Sequence, residues 1–475
     1  MDILVVVLAL CALMVVAYRG YSVIIFAPIV ALAAVFFSEP LSVLPAYTNL
    51  FMTGLSNFVR LYFPFFMLGA IFGKVVEMAG FAKSLTHAIF KLVGPKNAIL
   101  TIVLVAAILS YGGVSTHVVV FSVYPFAAEM FKLAVIPKRL IPGAIWLGGI
   151  TFVMVAVPGS PQIQNLIPTA KFLTDAYAAP ILGMLVAIII FAVGMIYFLR
   201  EQKKAFATGE TYSGGDPLLQ EPAPLDPNMK LPPWFIAVIP LLLVGVINYV
   251  MTKYGVAHFF GETYVLGVNS GFPGLEGSKA VTITVASMRG LWAVEVAMIA
   301  AILCTIVLAW KPVIKGFHEG MKQAMSAALL AIMNTASEVG YGSIIAALPG
   351  FLLMVEVFRD FSGNPLIMEA ITVNVLCGIV GSASGGIGIA MATVGDMFVE
   401  MCNAANIPLE VAHRVASIAS GGLDSLPHNG AVITSMFVTG LTHRQAYIPI
   451  FVVATVAPLI GLIVGITFFT ITGIY

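Results

Sequence analysis

Charge is scarce in this chain. Asp, Glu, Lys and Arg make up 9% of its 475 residues, where a soluble globular protein carries roughly 25%. With 60% hydrophobic residues and a mean hydropathy of +1.03, there is too little polar side chain to cover a water-facing surface. The composition is that of a polytopic, all-α membrane protein whose first partner is the lipid bilayer. A net charge of +1 provides no basic footprint, which excludes nucleic acid as a partner. Cysteine is scarce as well. Cys11, Cys304, Cys377 and Cys402 lie scattered in apolar sequence, without metal-ligand spacing or a disulfide pattern, and read as small buried residues. No metal or organic cofactor is expected.

Nucleotide motifs are missing too. Without G-x-x-x-x-G-K-[ST] the chain alone is no ATP-driven pump. Gly385 to Gly388 (GGIG) lacks the spacing of a dinucleotide site, and HEGMK at His318 fails the zinc motif H-E-x-x-H. The first twenty residues are apolar but carry Asp2 where a signal peptide has a basic region. They have no A-x-A-like site before Arg19, and a retained first span is expected.

What the chain does have is paired polar breaks in apolar stretches. SYGGVSTH (Ser110 to His117) is followed by VPGSPQIQN (Val157 to Asn165), and GSASGGIGIA (Gly381 to Ala390) by SGGLDSLPHNG (Ser420 to Gly430). Gly112-Gly113 and Gly385-Gly386 are 273 positions apart, Ser160-Pro161 and Leu426-Pro427 266 apart. MAGF at Met78 aligns with LPGF at Leu348, LGAIFG at Leu68 with SEVGYG at Ser337, and Ile136-Pro137 with Ile407-Pro408, at offsets of 269 to 271. Constant order and nearly constant offset indicate a duplication.

The expected organisation is a first repeat over 1–199, with a re-entrant hairpin at 97–131 and a broken helix at 140–168. A polar, Pro- and Gly-rich linker follows over 200–232. The second repeat, 233–475, has its hairpin at 365–402 and its broken helix at 411–441, with a glycine-rich external loop near 253–287. Connections around the first hairpin carry Lys83, Lys91, Lys96, Lys132, Lys138 and Arg139. Their counterparts carry Glu356, Arg359, Asp360, Glu369, Glu400, Glu410 and Arg414. Lysine and arginine favour the cytoplasm, so the hairpins should enter from opposite sides, as an inverted repeat. Arg200, Lys203, Lys204, Lys311, Lys315 and Lys322 fall inside under the same assignment, the linker is cytoplasmic, and both termini fall outside, in the periplasm.

Inverted repeats bring two hairpin tips together near the bilayer midplane, where solute is handled. Half-helix N-termini there bind an anion through backbone amides. Candidate substrate-binding residues are Gly112, Gly113, Ser115 and Thr116 on the first tip and Ser382, Ser384, Gly385 and Gly386 on the second. The breaks add Ser160, Gln162, Gln164 and Asn165 from one half and Ser425, His428 and Asn429 from the other. Ser and Gly also serve close helix packing, but Pro, Gln, Asn, Asp and His have no packing reason to recur at these points. Many donors with few charges suit a small carboxylate bearing hydroxyls. Ionisable groups in apolar segments are default candidates for proton handling. Asp424, His428 (four residues on, one helical turn) and Glu338 are the candidate coupling residues, with His117 and Asp396 behind them. Lys74 and Glu77 read as an interfacial pair.

At these residues the chain resembles the gluconate permease family of proton-coupled organic-acid symporters. The resemblance spans most of the chain and is strongest over 107–168 and 381–434, where SGGLDSLPHNGAVIT is the most specific segment. It implies two inverted repeats, a homodimer, an elevator-type movement, a bacterial inner-membrane location, and small hydroxy-carboxylates such as gluconate, 3-hydroxybutyrate or D-serine as substrates. Sugar-acid members carry an acidic, phenylalanine-rich first hairpin and a histidine-proline-rich turn, where this chain has GGVSTHVVVF and VPGSPQIQN. A short hydroxy-monocarboxylate is therefore the expected substrate. Protons are the expected coupling ion, with sodium the alternative because unwound carbonyls bind it. An enzyme is not expected: pairing Ser384 with His428 as an intramembrane hydrolase finds no oxyanion motif. A passive channel would need a polar stripe along several helices.

Overall fold

The computed structural model describes residues 2–19, 21–94, 97–214, 221–222, 231–275, 277–353 and 363–475. Lys96, Glu356, Arg359 and Asp360, counted above in the charge pattern, lie outside them, as does the side chain of His117.

The chain is an all-α polytopic membrane protein. Helices α1 (Asp2–Tyr18) and α2 (Val23–Ser38) lead into the span α3 (Pro40–Met78) and the short α4 (Phe81–Val93). Then come α5 (Ala98–Tyr111), α6 (Thr116–Leu133), the span α7 (Lys138–Val155), α8 (Ile163–Phe172) and the span α9 (Pro180–Thr208). After the linker, α10 (Trp234–Phe260) and α11 (Val285–Leu308) enclose a two-stranded antiparallel hairpin, β1 (Thr263–Leu266) and β2 (Val281–Thr284). The chain continues through α12 (Trp310–Ala347), α13 (Pro365–Val380), α14 (Ala383–Thr393), α15 (Gly395–Ala404), α16 (Leu409–Ser420), α17 (Gly430–Thr439) and α18 (His443–Thr472). Among the described residues six helices are long and apolar enough to cross a membrane. A seventh span is possible if α14 and α15, bent by 66°, count as one.

Local chemistry explains the interruptions. The apolar run of α5 stops at Gly112-Gly113, where Gly113 takes φ +85, a left-handed conformation that costs glycine least. Gly381 ends α13 in the same way at φ +69. α13 starts on Asn364, whose side chain accepts from Leu366 N, with Pro365 at the first helical position. The second break closes on Asn429, which caps α17 by accepting from Ala431 N and Val432 N. Each half thus carries two short helices meeting at a tip, then a helix broken by a polar stretch.

Four expectations need correction. Helix α9 continues through Arg200–Thr208, so it takes in the first nine residues of the stretch read as linker. The SEVGYG segment at Ser337, an anchor of the repeat, is no break but lies inside one 38-residue helix, α12. Gly340 and Gly342 do not break it because Gly340 packs on Phe51 and Gly342 on Ile389. The polar excursion at 253–287 is built, with the end of α10 and the β hairpin in it. Finally, three residues counted as charges of the connections are buried within the fold: Lys138 at the start of α7, Glu369 in α13 and Arg414 in α16. Leaving them out changes the Lys and Arg count from six against two to five against one, so the excess of four around the first hairpin is unchanged.

Candidate functional site

Helices α3 and α12 pack along each other, α12 packs on α14, and α8 packs on both α14 and α16. Between them lies a cavity of about 1060 Å³. Both halves line it. Gly113, Ser115 and Thr116 come from the first tip, Gln162 and Gln164 from the first break, Gly381, Ser382 and Ser384 from the second tip, and Asp424, His428 and Asn429 from the second break.

Four helices start at this cavity. The N-cap residues of α6 (Ser115), α8 (Gln162), α14 (Ser382) and α17 (Asn429) all line it, as do the residues that follow them, Thr116, Ile163, Ala383 and Gly430. Each helix end carries roughly half a positive elementary charge from unpaired N–H groups. The ends of α6 and α8 have no side-chain cap, so Ser115 and Gln162 do not compete with a ligand for the amides there. Ser382 and Asn429, by contrast, spend their side-chain oxygens on Gly385 N (3.1 Å) and on Ala431 N and Val432 N (2.7 and 3.0 Å). Both residues line the cavity with these oxygens already engaged as caps.

Against these positive ends stand carboxylates. Asp424 and Glu338 are buried and face the cavity, and Glu338 Oε2 has no hydrogen-bond partner among the described residues. Glu338 lies directly over Gly385: a Cβ there would collide with Oε2. That close approach is what the glycine permits. His428 packs in the same way on Gly381, with Nε2 unpartnered among the described residues. Asp424 and His428 do not share a helical turn as expected, because 421–429 is non-helical. Instead Asn429 Nδ2 donates to Asp424 O at 2.7 Å, which folds the break back on itself. Serine hydroxyls link the second tip to α12, with Ser384 Oγ 3.4 Å from Thr335 Oγ1 and 3.3 Å from Ser382 Oγ.

Other candidates turn out to be framework. Gly112 packs on Leu241 and Gly386 on Cys377. Ser425 Oγ bonds Thr455 Oγ1 at 2.6 Å. Gln162 lines the cavity but donates Nε2 to Ser110 O at 2.8 Å. Ser160 is buried, its hydroxyl unpartnered among the described residues, outside the cavity lining. Asn165 donates to Ser160 O and Ala176 O, both at 2.9 Å, and accepts from Arg414 Nη1 at 2.8 Å. Arg414 also donates to Ala176 O (3.2 Å) and twice to Ala178 O (3.0 and 2.7 Å), so α16 of one half clamps the loop after α8 of the other. Asp396 sits at an exposed end, paired with Lys171 at 2.8 Å.

Two walls of the cavity, apart from Glu338 and the Lys74–Glu77 pair read as interfacial, lay outside the sequence reading. On α12, Gln323, Ala327, Ala331, Asn334 and Glu338 line the wall at spacings of four, four, three and four. This stripe of small and polar residues is visible in the sequence once a helix is drawn there. On α3, Phe66, Gly69, Ala70, Lys74 and Glu77 form the opposite wall. Lys74 bonds Glu77 at 2.9 Å and is the single lysine or arginine in the lining among the described residues. Among the described residues no group of three or more His, Cys, Asp or Glu could hold a metal ion.

No family model matches the chain. Its fold is similar to that in the crystal structure of the YdaH transporter of Alcanivorax borkumensis, with a TM-score of 0.57 at 14% identity, over 91% of this chain and 90% of that one. In sequence it is 48% identical, over the full length of both chains, to the uncharacterized transporter YxjC of Bacillus subtilis (strain 168). A membrane-spanning helical fold, one cavity walled by both halves, and that full-length relative agree: the chain is a multi-pass membrane transporter and belongs to the family of YxjC.

Proposed function

We propose that this transporter is a proton-coupled symporter of a small hydroxy-monocarboxylate, 3-hydroxybutyrate-like, of the gluconate permease type. The observation that carries the reading is the joint presence, at one cavity, of four helix N-termini and the carboxyl groups of Asp424 and Glu338. The N-termini favour an anion. Two ionised carboxylates in the same low-dielectric space would repel it. An organic anion therefore binds best when these acids are neutralised, and by linkage its presence favours their neutralisation to the same degree. A proton that enters and leaves with the anion is the direct expression of that coupling. Ser115, Thr116, Ser384 and Gln164 supply hydroxyl and amide groups for the substrate's own hydroxyl.

The two halves are read as inverted repeats whose hairpins and broken helices form a transport domain that moves against a fixed scaffold in an elevator-type movement. In this reading the linker is cytoplasmic, both termini are periplasmic, the protein sits in a bacterial inner membrane, and the working unit is a homodimer. The reading is tested by uptake of labelled 3-hydroxybutyrate, gluconate, lactate and D-serine into proteoliposomes under a pH or a sodium gradient. Accumulation of 3-hydroxybutyrate driven by the pH gradient is expected. Accumulation driven by sodium alone transfers the coupling role to sodium, and uptake indifferent to both gradients refutes symport. Asp424→Asn should abolish accumulation while sparing exchange, and normal accumulation by that variant removes Asp424 from the coupling role.

A further inference from the structure

The cavity has a deep end and a mouth. Helices α3 and α12 run antiparallel along it: Gly54 packs on Ser343 towards one end, and Gly320 packs on Met78 and the Lys74 stem towards the other. Gln323 and Glu338 lie fifteen residues, about 22 Å, apart along α12. Glu338 is buried, whereas Gln323 is exposed and shares its end of the cavity with exposed Tyr21 and Glu77, so this end is the mouth. Lys311, Lys315 and Lys322 stand at the same end of α12 but outside the lining. They raise the potential for anions around the opening. Among the described residues Lys74 is the cation that reaches inside.

Lys74 stands beside the first tip. Its neighbour Gly73 sets α3 against the start of α6, where a Cβ on Gly73 would lie 3.7 Å from Ser115 Oγ. Lys74 Nζ is held by Glu77 Oε1 at 2.9 Å, with side-chain exposures of 19% and 45%. An i,i+3 pair with one end in water is weakly held, so a carboxylate arriving through the mouth can take the place of Glu77. The displaced side chain has a second environment, since Glu77 also borders a cavity of about 550 Å³ that Lys83 lines. Helical side chains lean towards the N-terminus, which for Lys74 is the direction into the cavity. Released from Glu77, its flexible four-carbon stem lets the ammonium turn towards Ser115 and the α6 amides that no side chain caps. We propose that Lys74 binds the substrate carboxylate together with the N-terminus of α6, and that Glu77 is the built-in competitor exchanged for the anion.

This inference rests on the carboxylate-substrate reading and is independent of the coupling ion. Equilibrium binding of labelled 3-hydroxybutyrate to the purified full-length protein tests it. Lys74→Met should raise Kd about tenfold or more, the loss of one charge-assisted hydrogen bond, and Glu77→Gln should lower it. Unchanged binding in Lys74→Met, or weaker binding in Glu77→Gln, overturns the proposal while the substrate reading stands. Glu77→Gln carries the test alone if Lys74→Met does not fold, because a merely structural pair would weaken binding when either partner is lost. The double variant separates exchange from charge acting at a distance. With Lys74 gone, Glu77→Gln should leave Kd where Lys74→Met put it, and an equal tightening in both backgrounds refutes direct competition. Native protein that binds none of 3-hydroxybutyrate, gluconate, lactate and D-serine refutes the substrate reading itself, and the Lys74 site with it.

Discussion

Arg414 offers the sharpest test of how the halves are held together. It is 0% exposed on α16, and its guanidinium reaches three acceptors in the other half. In Arg414→Met the side-chain volume is nearly kept and the donors are lost. Ala176 O still receives Gly159 N at 2.8 Å and Asn165 Nδ2 at 2.9 Å. Asn165 Oδ1 retains a long contact of 3.4 Å with His413 Nε2. Ala178 O loses both guanidinium donors and stays buried, which costs ~1–3 kcal/mol, and the weakened Asn165 acceptor adds about 1 kcal/mol. Part of this is offset because a desolvated cation is removed. The net expectation is a loss of about 2–3 kcal/mol. The assay is thermal unfolding of detergent-purified protein with a thiol-reactive fluorophore in a Cys11→Ser, Cys304→Ser background, since Cys11 is exposed and Cys304 half-buried, against the sequence expectation, whereas Cys377 and Cys402 are buried and react when the fold opens. A midpoint several degrees lower is expected, and at least as low for Arg414→Lys, which keeps the charge but not the fork. If Arg414→Met proves as stable as the native chain, guanidinium desolvation outweighs its hydrogen bonds, and the clamp does not hold the loop after α8.

Two further outcomes follow from local geometry. Gly381→Ala strains a left-handed residue by about 1 kcal/mol and sets a Cβ against the His428 ring. Uptake should fall on the order of tenfold or more with expression intact, and uptake within twofold of native would show that the His428–tip contact is dispensable. Glu210 accepts from Arg139 Nε and Nη2 at 2.8 and 2.9 Å, which holds its carboxyl below the usual glutamate range. The native state then binds that proton less readily than the unfolded chain. The stabilisation, at most about 1 kcal/mol for a surface pair, is present at neutral pH and lost as pH falls through the depressed value. Glu210→Gln should therefore be less stable than native at neutral pH and converge with it in acid; a constant gap across pH counts against the pair.

Composition and pattern determined a good deal by themselves. Scarcity of charge set the all-α membrane class, because backbone in lipid must satisfy itself within helices. Glycines and prolines in apolar runs marked both tips and both breaks, since those residues end helices through their own backbone geometry. Most of the polar residues at these points do line one cavity. Which polar groups are free, however, was decided by tertiary structure. Asn429 and Ser382 are spent as caps, Asn165 on Arg414, and Ser425 on Thr455, because a buried polar atom takes the nearest partner packing brings to it. The far walls, α3 and α12, come from segments remote from the breaks. The burial of Arg414 depended on Asn165, Ala176 and Ala178, 236 to 249 residues away, and a local window treats such a charge as surface. The glycines at 381 and 385 show the division most clearly. The sequence marks them as breaks, and only the packed fold reveals that they make room for His428 and Glu338.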